Sequence, residues 1–147
     1  ILAQHDTTTV GYVTFLHPDP LESWSEAQLE ELLELGAIEI APDYRHGGLA
    51  KALLKVAFID PNMEDYIVFT TEYCWHWDLK RTGLSVWEYR DVMEKVMNSA
   101  GLVWMPTDDP EICSHPANAL MVRIGKNVPQ YAVEAFDRLR IRRHARL

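Results

Sequence analysis

The sequence predicts a mixed α/β fold, because short β-branched apolar runs alternate with stretches of helical three-to-four spacing. Proline, glycine and charged turns separate these runs. At 147 residues the chain has the length of one domain, so we expect a single unit over residues 1–147. Its 48% hydrophobic residues can form a core, and no apolar run is long enough to cross a bilayer, so we expect no membrane association.

The first half of the chain predicts three strands and two helical segments. Two apolar runs on either side of a polar turn predict an antiparallel hairpin over residues 1–4 and 10–16. Residues 23–33 carry apolar side chains among glutamates, which predicts a short amphipathic helix or a helical loop. A strand follows over residues 35–41, and residues 49–59 have the spacing of a buried helix.

The second half continues the alternation of strands and helices. The predicted elements are a strand over 66–71, a helix over 85–99, a strand over 102–105, a helix from Ser114 to Gly125, and a helix over 130–141. Between the first two lies an aromatic segment and a charged turn that ends near residue 84. Pro116 fits the first turn of the helix that Ser114 would cap.

Residues 35–51 are the most informative stretch, because they read as a strand, a turn, a glycine-rich bend and the start of a helix. Gly47 and Gly48 have no Cβ to keep a ligand off the backbone, and a helix that begins near Leu49 adds free N–H groups. Arg45 is the first Lys or Arg of the chain. The pattern is typical of a phosphate site, although a Gly-Gly pair is as often only a tight turn.

The same stretch excludes two classes of nucleotide site. No Gly-Lys-Ser/Thr follows the bend, so it is not a Walker loop, and the third glycine of a dinucleotide fingerprint is absent. We therefore expect neither nucleoside triphosphate hydrolysis nor NAD binding.

Charge is distributed unevenly along the chain. The whole chain has a net charge of -8. Residues 1–44 contain nine Asp or Glu and no Lys or Arg, whereas residues 138–147 contain five arginines. An acidic body repels nucleic acid and favours basic partners, so we expect no nucleic-acid binding. We expect the arginine-rich end to be a solvated helix tail.

Two cysteines and no signal peptide indicate a reducing compartment, so we expect a cytoplasmic protein without disulfides. Each cysteine stands two positions before a histidine, in Cys74-Trp75-His76 and Cys113-Ser114-His115. This spacing is shorter than that of structural zinc sites, so we expect no metal. The aromatic residues Tyr73, Trp75, Trp77 and Trp87 predict a core cluster or a subunit interface of a homo-oligomer, or else a surface that docks a partner.

The bend resembles a known signature. Residues 45–50, Arg-His-Gly-Gly-Leu-Ala, fit the Arg/Gln-x-x-Gly-x-Gly/Ala pattern of the GNAT superfamily of N-acetyltransferases, in the expected order of strand, bend and helix. Between residues 10 and 140, the segments GYVTFLHPDPLESWSE, ELGAIEIAPDYR, TTEYCWHWDLK, VWEYRDVMEKVMN and SHPANALMVRIGKNV are similar to bacterial acetoin-utilisation acetyltransferases, which acetylate a lysine of acetyl-CoA synthetase.

The resemblance implies a mostly antiparallel mixed sheet flanked by helices. A GNAT domain normally starts with a strand and two helices that have no counterpart after Ile1, so we expect that segment to be missing. The resemblance also implies acetyl-CoA as cosubstrate, with its pyrophosphate on the bend and its pantetheine arm along the preceding strand. The implied coenzyme residues are Ile38, Ile40, Arg45, His46, Gly47, Gly48, Leu49, Ala50, Lys51 and Asn118.

Acetyl transfer to a lysine needs a base, because a free lysine with a pKa of about 10.4 is charged at neutral pH. Glu34 lies where many members of the superfamily place a catalytic glutamate, and Glu39 is the second candidate. In a flat strand the two would point to opposite faces; Glu34 is equally explained as a solvated glutamate. The tyrosine that often serves as the acid falls by spacing on Met121 or Met97, which leaves Tyr73 and Tyr89 as candidates.

The resemblance thus predicts a protein lysine acetyltransferase whose partner is acetyl-CoA synthetase, acting by direct transfer without a metal. Two alternatives stay open at this point. One is a non-catalytic acetyl-CoA-binding module that docks on the synthetase and regulates it. The other is an acetyltransferase for small amines, which the acidic composition allows.

Overall fold

The structure is a computed structural model that describes residues 1–142, and these contain six strands and four helices. The strands are β1 (Leu2–His5), β2 (Thr8–Leu16), β3 (Leu32–Ile40), β4 (Ile67–Glu72), β5 (Val103–Met105) and β6 (Ala119–Ile124). The helices are α1 (Leu49–Ala57), α2 (Leu79–Thr82), α3 (Val86–Ser99) and α4 (Gln130–Arg140). The strands form one sheet in the order β1-β2-β3-β4-β6-β5, antiparallel except for β3 with β4, which confirms the predicted mixed sheet.

The parallel pair of β3 and β4 is short. The two strands pair only at Leu32–Ile67, Leu33–Val68 and Glu34–Phe69, whereas β4 pairs with β6 along its whole length. From Leu35 to Ile40, β3 has a partner on the β2 side alone. The sheet therefore opens between β3 and β4 beyond Glu34.

A bulge in β3 lies at the point where the sheet opens. Thr14 of β2 pairs with Ala37, but the next residue, Phe15, pairs with Leu35, so Gly36 is an extra residue. A Cβ on Gly36 would displace the end of the exposed Leu16 side chain of β2, and glycine avoids this displacement. Because a bulge bends its strand, it helps β3 to turn away from β4.

Two cores cover the two faces of the sheet. Helices α1 and α3 pack on one face, where Leu54, Met97 and Val68 are fully buried. Helix α4 packs on the other face, where Phe136 and Phe69 lie 6.1 Å apart between ring centroids. A buried Leu or Phe side chain stabilises the fold by about 1.5–3 kcal/mol, so these two layers fix the position of the opening between them.

The predicted hairpin and the predicted helices α1, α3 and α4 are confirmed within a few residues. The start of helix α3 could be predicted from the sequence because it carries a capping motif. The Ser85 hydroxyl accepts a hydrogen bond from the Glu88 N–H at 3.1 Å, and the Glu88 carboxylate accepts one from the Ser85 N–H at 3.1 Å. This reciprocal cap is a local sequence signal.

The amphipathic helix predicted over residues 23–33 is wrong, and the helical-loop alternative is closer. Only Ser23–Ser25 forms a helical turn, of the 3-10 type, and β3 already begins at Leu32. Trp24 is buried against the rings of Phe69 and Phe136. The apolar residues of this segment are therefore explained by burial from a loop and a strand.

The helix predicted from Ser114 to Gly125 is also wrong. Ser114 ends a 3-10 turn, and residues 119–124 form β6, between β4 and β5. Ala119 to Val122 are all buried, because both faces of this strand are covered. A continuous apolar run has no period, so it cannot distinguish a central strand from a buried helix.

The arginine-rich end is described only to Arg142. Arg140 forms an ion pair with Asp137 and donates to the Pro106 carbonyl at 2.9 Å, and Arg142 pairs with Glu26 at 2.9 Å. These contacts hold the end of α4 against two loops, in contrast to the expected solvated tail. Residues 143–147 of that predicted tail lie outside the described residues. No helix within residues 1–142 has both the length and the apolar character needed to cross a membrane.

Candidate functional site

The glycine-rich bend presents a row of free backbone donors. Within residues 1–142, the N–H groups of residues 46–51 donate to no carbonyl and to no side chain. Gly48 is the N-cap of α1 and has a φ of 75°, a left-handed conformation that favours glycine. A Cβ at Gly48 would meet nothing within 4 Å, so the space above the bend is open. This arrangement fits an anion such as a phosphate.

The remaining predicted residues of the bend lie around these donors. The side chains of His46 and Lys51 are exposed, and Leu49 and Ala50 begin α1 with half-buried side chains. His46 also has a positive φ of 74°. The bend is anchored to the β1–β2 hairpin, because the Tyr44 hydroxyl lies 2.7 Å from His5 Nδ1.

Arg45 is held inward at the start of the bend. Its Nε donates to the Ile40 carbonyl at 2.9 Å, and its Nη1 donates to Asp78 Oδ2 at 3.2 Å. The guanidinium therefore lies beside the bend with a fixed orientation. The motif predicts this residue, but it does not predict its partner Asp78.

Ile38 and Ile40 lie on the open part of β3. Their side chains pack against the core under α1, together with Val13 and Leu54. What remains available to a ligand is the backbone edge of β3 on the side where β4 does not pair. That edge is the place where the resemblance puts the pantetheine arm.

Glu34 is the last residue of β3 that pairs with β4, so its carboxyl group lies where the sheet opens. Burial raises its pKa, and the negative charges of Glu22 and Asp19 raise that pKa further, from 4.5 to about 7. A carboxyl group with this pKa is about half ionised at neutral pH. It can accept a proton and release it again.

Glu34 belongs to an acidic cluster that comprises Asp19, Glu22, Glu34 and Glu111. Burial raises the pKa of Glu22, and the charges of Asp19 and Glu111 raise it further, so these groups lie within electrostatic range of Glu22. Three segments that are distant in sequence contribute to the cluster. Its negative charge suits a basic group on an acceptor.

Tyr73 connects to the far end of this cluster. Its hydroxyl donates to Glu111 Oε2 at 3.5 Å, and its ring stacks on Trp75 with centroids 4.8 Å apart. Burial raises the pKa of Tyr73 to about 12, and the nearby charges of Glu111 and Asp109 also raise it. Tyr73 therefore keeps its proton at neutral pH.

Glu39 projects from the same face of β3 as Glu34, because the bulge at Gly36 inserts one residue between them. The expectation from a flat strand, with the two on opposite faces, is therefore wrong. The two glutamates are still about 15 Å apart along the strand, and Glu39 is exposed. Only Glu34 lies at the opening.

Asn118 is buried and precedes β6, so it does not lie in a helix as predicted. Its side-chain oxygen accepts a hydrogen bond from the Cys74 N–H at 2.8 Å, and its side-chain nitrogen donates to the Glu111 carbonyl at 3.4 Å. These bonds tie the loop after β4 to the segment that carries Glu111. Contact with the coenzyme stays a prediction.

The aromatic residues do not form one cluster. Trp77 stacks on Tyr89 at 5.1 Å, and Tyr73 stacks on Trp75, whereas Trp75 and Trp87 are each 52% exposed. Both cysteines are free. Within residues 1–142, no group of three or more His, Cys, Asp or Glu side chains is placed to hold a metal ion.

The sequence did not single out Asp19, Glu111 and Asp78 individually. Asp19 lies in the acidic stretch of residues 1–44, but its effect on Glu34, and the effect of Glu111 on Glu22, depend on long-range folding. Asp78 carries a readable local signal, because its side chain accepts from the Arg81 N–H at the start of α2.

Comparison with known proteins gives close relatives. The acetoin utilization proteins AcuA of Bacillus subtilis (strain 168) and Bacillus licheniformis are 64% and 61% identical to this chain over 140 residues. Each alignment covers 95% of this chain and 67% of the relative, so the chain spans about two thirds of their length. No family model matches the chain.

Solved structures resemble the chain in fold. The crystal structure of an acetoin utilization protein from Exiguobacterium sibiricum 255-15 superposes with a TM-score of 0.96 at 57% identity, over 99% of this chain and 69% of the other. A protein from Desulfovibrio desulfuricans that is assigned to the GNAT acetyltransferase family superposes with a TM-score of 0.51 at 19% identity, over 82% and 63% of the two chains. The second likeness shows that the fold is of the GNAT type.

Proposed function

Because the chain belongs to the family of the acetoin utilization protein AcuA, we propose that it is an acetyl-CoA-dependent protein lysine N-acetyltransferase. The acceptor is a lysine of acetyl-CoA synthetase, and the reaction serves acetate and acetoin metabolism in the cytoplasm. The main support is the row of free N–H groups at residues 46–51, beside an opening in the sheet that holds a carboxyl group of raised pKa.

The bend holds the pyrophosphate of the coenzyme. Six backbone N–H groups at and before the N-terminus of α1 have no acceptor within residues 1–142, and a Cβ at Gly48 would enter open space. Arg45 and Lys51 supply positive charge on either side of the glycines. The free backbone edge of β3 orients the pantetheine arm toward Glu34.

Glu34 acts as the base. Acetyl-CoA supplies an activated acyl group as its thioester, and the acceptor amine attacks the thioester carbonyl only in its neutral form. The Glu34 carboxylate, with a pKa of about 7, takes a proton from the lysine ammonium. The nitrogen–carbon bond forms as the carbon–sulfur bond breaks, and the electron pair leaves on sulfur. The second proton lost by the nitrogen passes to the departing thiolate, which gives the amide and free coenzyme A.

Tyr73 has a limited part in the departure of the thiolate. With a pKa of about 12 it is a weaker acid than a thiol, whose pKa is about 8.5, so full proton transfer from Tyr73 is uphill. A hydrogen bond from its hydroxyl is the contribution that this pKa permits. A thiolate of that basicity also leaves unassisted.

The acidic cluster attracts the acceptor. Glu22 and Asp19 add negative charge around Glu34, Glu111 adds charge beside Glu22, and together they favour a lysine in a basic segment. The same charges disfavour acidic acceptors.

The test mixes the protein with acetyl-CoA and purified acetyl-CoA synthetase, followed by mass spectrometry of the synthetase. We expect one lysine to gain an acetyl group in the presence of the wild-type protein and far less with Glu34→Gln. If the synthetase loses activity without gaining an acetyl group, the non-catalytic regulatory module replaces this proposal.

The acidic cluster also favours a second candidate, the acetylation of a small polyamine. Adding spermine to the same reaction distinguishes acetylation of the synthetase from acetylation of a polyamine. Under the first proposal spermine is not acetylated and slows transfer to the synthetase only through ionic screening, as an equal ionic strength of NaCl does. Acetyl-spermine formed faster than acetyl-lysine favours the second candidate.

A further inference from the structure

An ion pair joins the two walls of the opening in the sheet. Arg45 follows β3, and Asp78 lies in the segment that follows β4. Arg45 Nη1 donates to Asp78 Oδ2 at 3.2 Å, and both side chains are partly buried, with 28% and 38% exposed. The two parallel strands separate beyond Glu34, so this pair connects their ends across the gap.

Asp78 is itself fixed by its surroundings. Its Oδ1 accepts from the Arg81 N–H at 3.2 Å, which caps α2, while Oδ2 accepts from Arg45 and also lies 3.6 Å from Arg81 Nε. The neighbouring Trp77 stacks on Tyr89 of α3 at 5.1 Å. Burial alone would raise the pKa of Asp78, but the hydrogen bond from Arg45 and the bond and charge of Arg81 lower it, so the carboxylate stays ionised.

The guanidinium of Arg45 is thus held at two points. Its Nε is bonded to the Ile40 carbonyl and its Nη1 to Asp78, while Nη2 has no hydrogen-bond partner within the part of the chain that the structure describes. Nη2 of the guanidinium is therefore available to donate a hydrogen bond to a phosphate oxygen. Without Asp78, one anchor would remain, and the side chain could rotate about it.

We propose that Asp78 is a positioning residue that holds Arg45 beside the glycine bend for contact with a coenzyme phosphate. This inference rests on the proposed function, because it concerns the affinity for acetyl-CoA. Because Asp78 acts through Arg45, it contributes to coenzyme binding and leaves the chemical step unchanged.

The test is a double-mutant cycle on coenzyme A affinity, measured by calorimetry with Asp78→Ala, Arg45→Ala and the double variant. We expect each single variant to weaken binding about tenfold, and the double variant to bind no more weakly than Arg45→Ala alone. In steady state, Asp78→Ala should raise KM for acetyl-CoA about tenfold with kcat changed less than about twofold, and Asp78→Glu should restore part of the affinity.

Arg81→Ala is the matched control, because Arg81 is the second cation near Asp78, at 3.6 Å, and is 62% exposed. It should leave the affinity unchanged. The inference is overturned if Asp78→Ala weakens binding equally in the presence and absence of Arg45, which would indicate a structural role in capping α2. It is also overturned if Asp78→Ala binds as tightly as wild type or tighter. Failure of the wild-type protein to bind coenzyme A would instead count against the proposed function.

Discussion

The two sides of the opening in the sheet offer different chemical groups: backbone N–H groups on one side and carboxyl and hydroxyl side chains on the other. The proposed coenzyme side consists of residues 45–51, which offer free backbone N–H groups at 46–51 and a left-handed backbone conformation at Gly48. The acceptor side consists of the acidic cluster and Tyr73, whose side chains converge from distant segments. One continuous stretch of sequence can therefore specify a phosphate site, whereas an acceptor site made of distant segments forms only when the chain folds.

The two sides also differ in how they tolerate substitution. Among side-chain substitutions only proline removes a backbone donor, so the proposed coenzyme side is vulnerable mainly at glycine and at Arg45. The acceptor side depends on carboxyl groups whose pKa values influence one another. Substitution there should change the pH dependence, while substitution on the coenzyme side should change affinity.

The largest effect is expected from Glu34→Gln, which removes the base. We expect kcat for acetyl transfer to fall about 100-fold with little change in KM for acetyl-CoA. Glu30→Gln, in the loop before β3, is the matched control and should keep the wild-type rate. If Glu39→Gln abolishes transfer and Glu34→Gln does not, the base lies on the exposed end of β3.

The next effect is expected on the coenzyme side from Gly48→Asn. Asparagine tolerates the left-handed conformation better than other residues, so the fold should be kept, but its side chain enters the open space above the bend. We expect affinity for coenzyme A to fall about tenfold with less than about 1 kcal/mol lost in stability.

Gly83→Asn is the control for this substitution, because Gly83 has a φ of 69° and also faces open space. Calorimetric titration should give wild-type affinity for Gly83→Asn. Equal affinities for both variants would remove residues 46–51 as the phosphate site.

A smaller effect is expected on stability. Burial raises the pKa of Glu34 from 4.5 to about 7, so its contribution to folding is complete below pH 4.5 and is lost as the pH rises through 7. Glutamine does not ionise, so its contribution to folding does not change over this pH range. Glu34→Gln should therefore match wild type near pH 4.5 and exceed it by about 1 kcal/mol near pH 8, allowing for solvent screening. Thermal unfolding at both values measures this, and a variant less stable near pH 8 would contradict the raised pKa.

The smallest effect is expected from Glu22→Gln. The charge of Glu22 is the second cause of the raised pKa of Glu34, after burial, so its removal should lower the midpoint of the pH–rate profile by about half a unit. Glu26→Gln serves as the control, since Glu26 pairs with Arg142 instead. An unchanged midpoint would mean that the charge of Glu22 does not contribute to the raised pKa of Glu34.

Much of the coenzyme side could be predicted from the sequence, because its information is local. The spacing of the glycines and the apolar period of α1 lie within about twenty residues. The bulge at Gly36 could not be predicted, since it depends on the pairing with β2. A strand without this bulge would place Glu34 and Glu39 on opposite faces, which is why the prediction from a flat strand is wrong.

The central strand β6 shows a different limit. Residues 119–122 are buried on both faces, so their sequence carries no period that separates a strand from a helix. The electrostatic coupling of Glu22 to both Glu34 and Glu111 is equally invisible in the sequence, because it depends on where the loop after β2 meets the segment that carries Glu111. Composition revealed an acidic chain but not which carboxyl groups come together.

The most direct measurement is the single-turnover rate of acetyl transfer as a function of pH, for wild type and Glu34→Gln with acetyl-CoA and acetyl-CoA synthetase. We expect the wild-type rate to rise with pH through a midpoint of about 7 and then to level off, while the variant is slow and lacks this midpoint. A variant that retains the midpoint and the wild-type rate would contradict the assignment of Glu34 as the base.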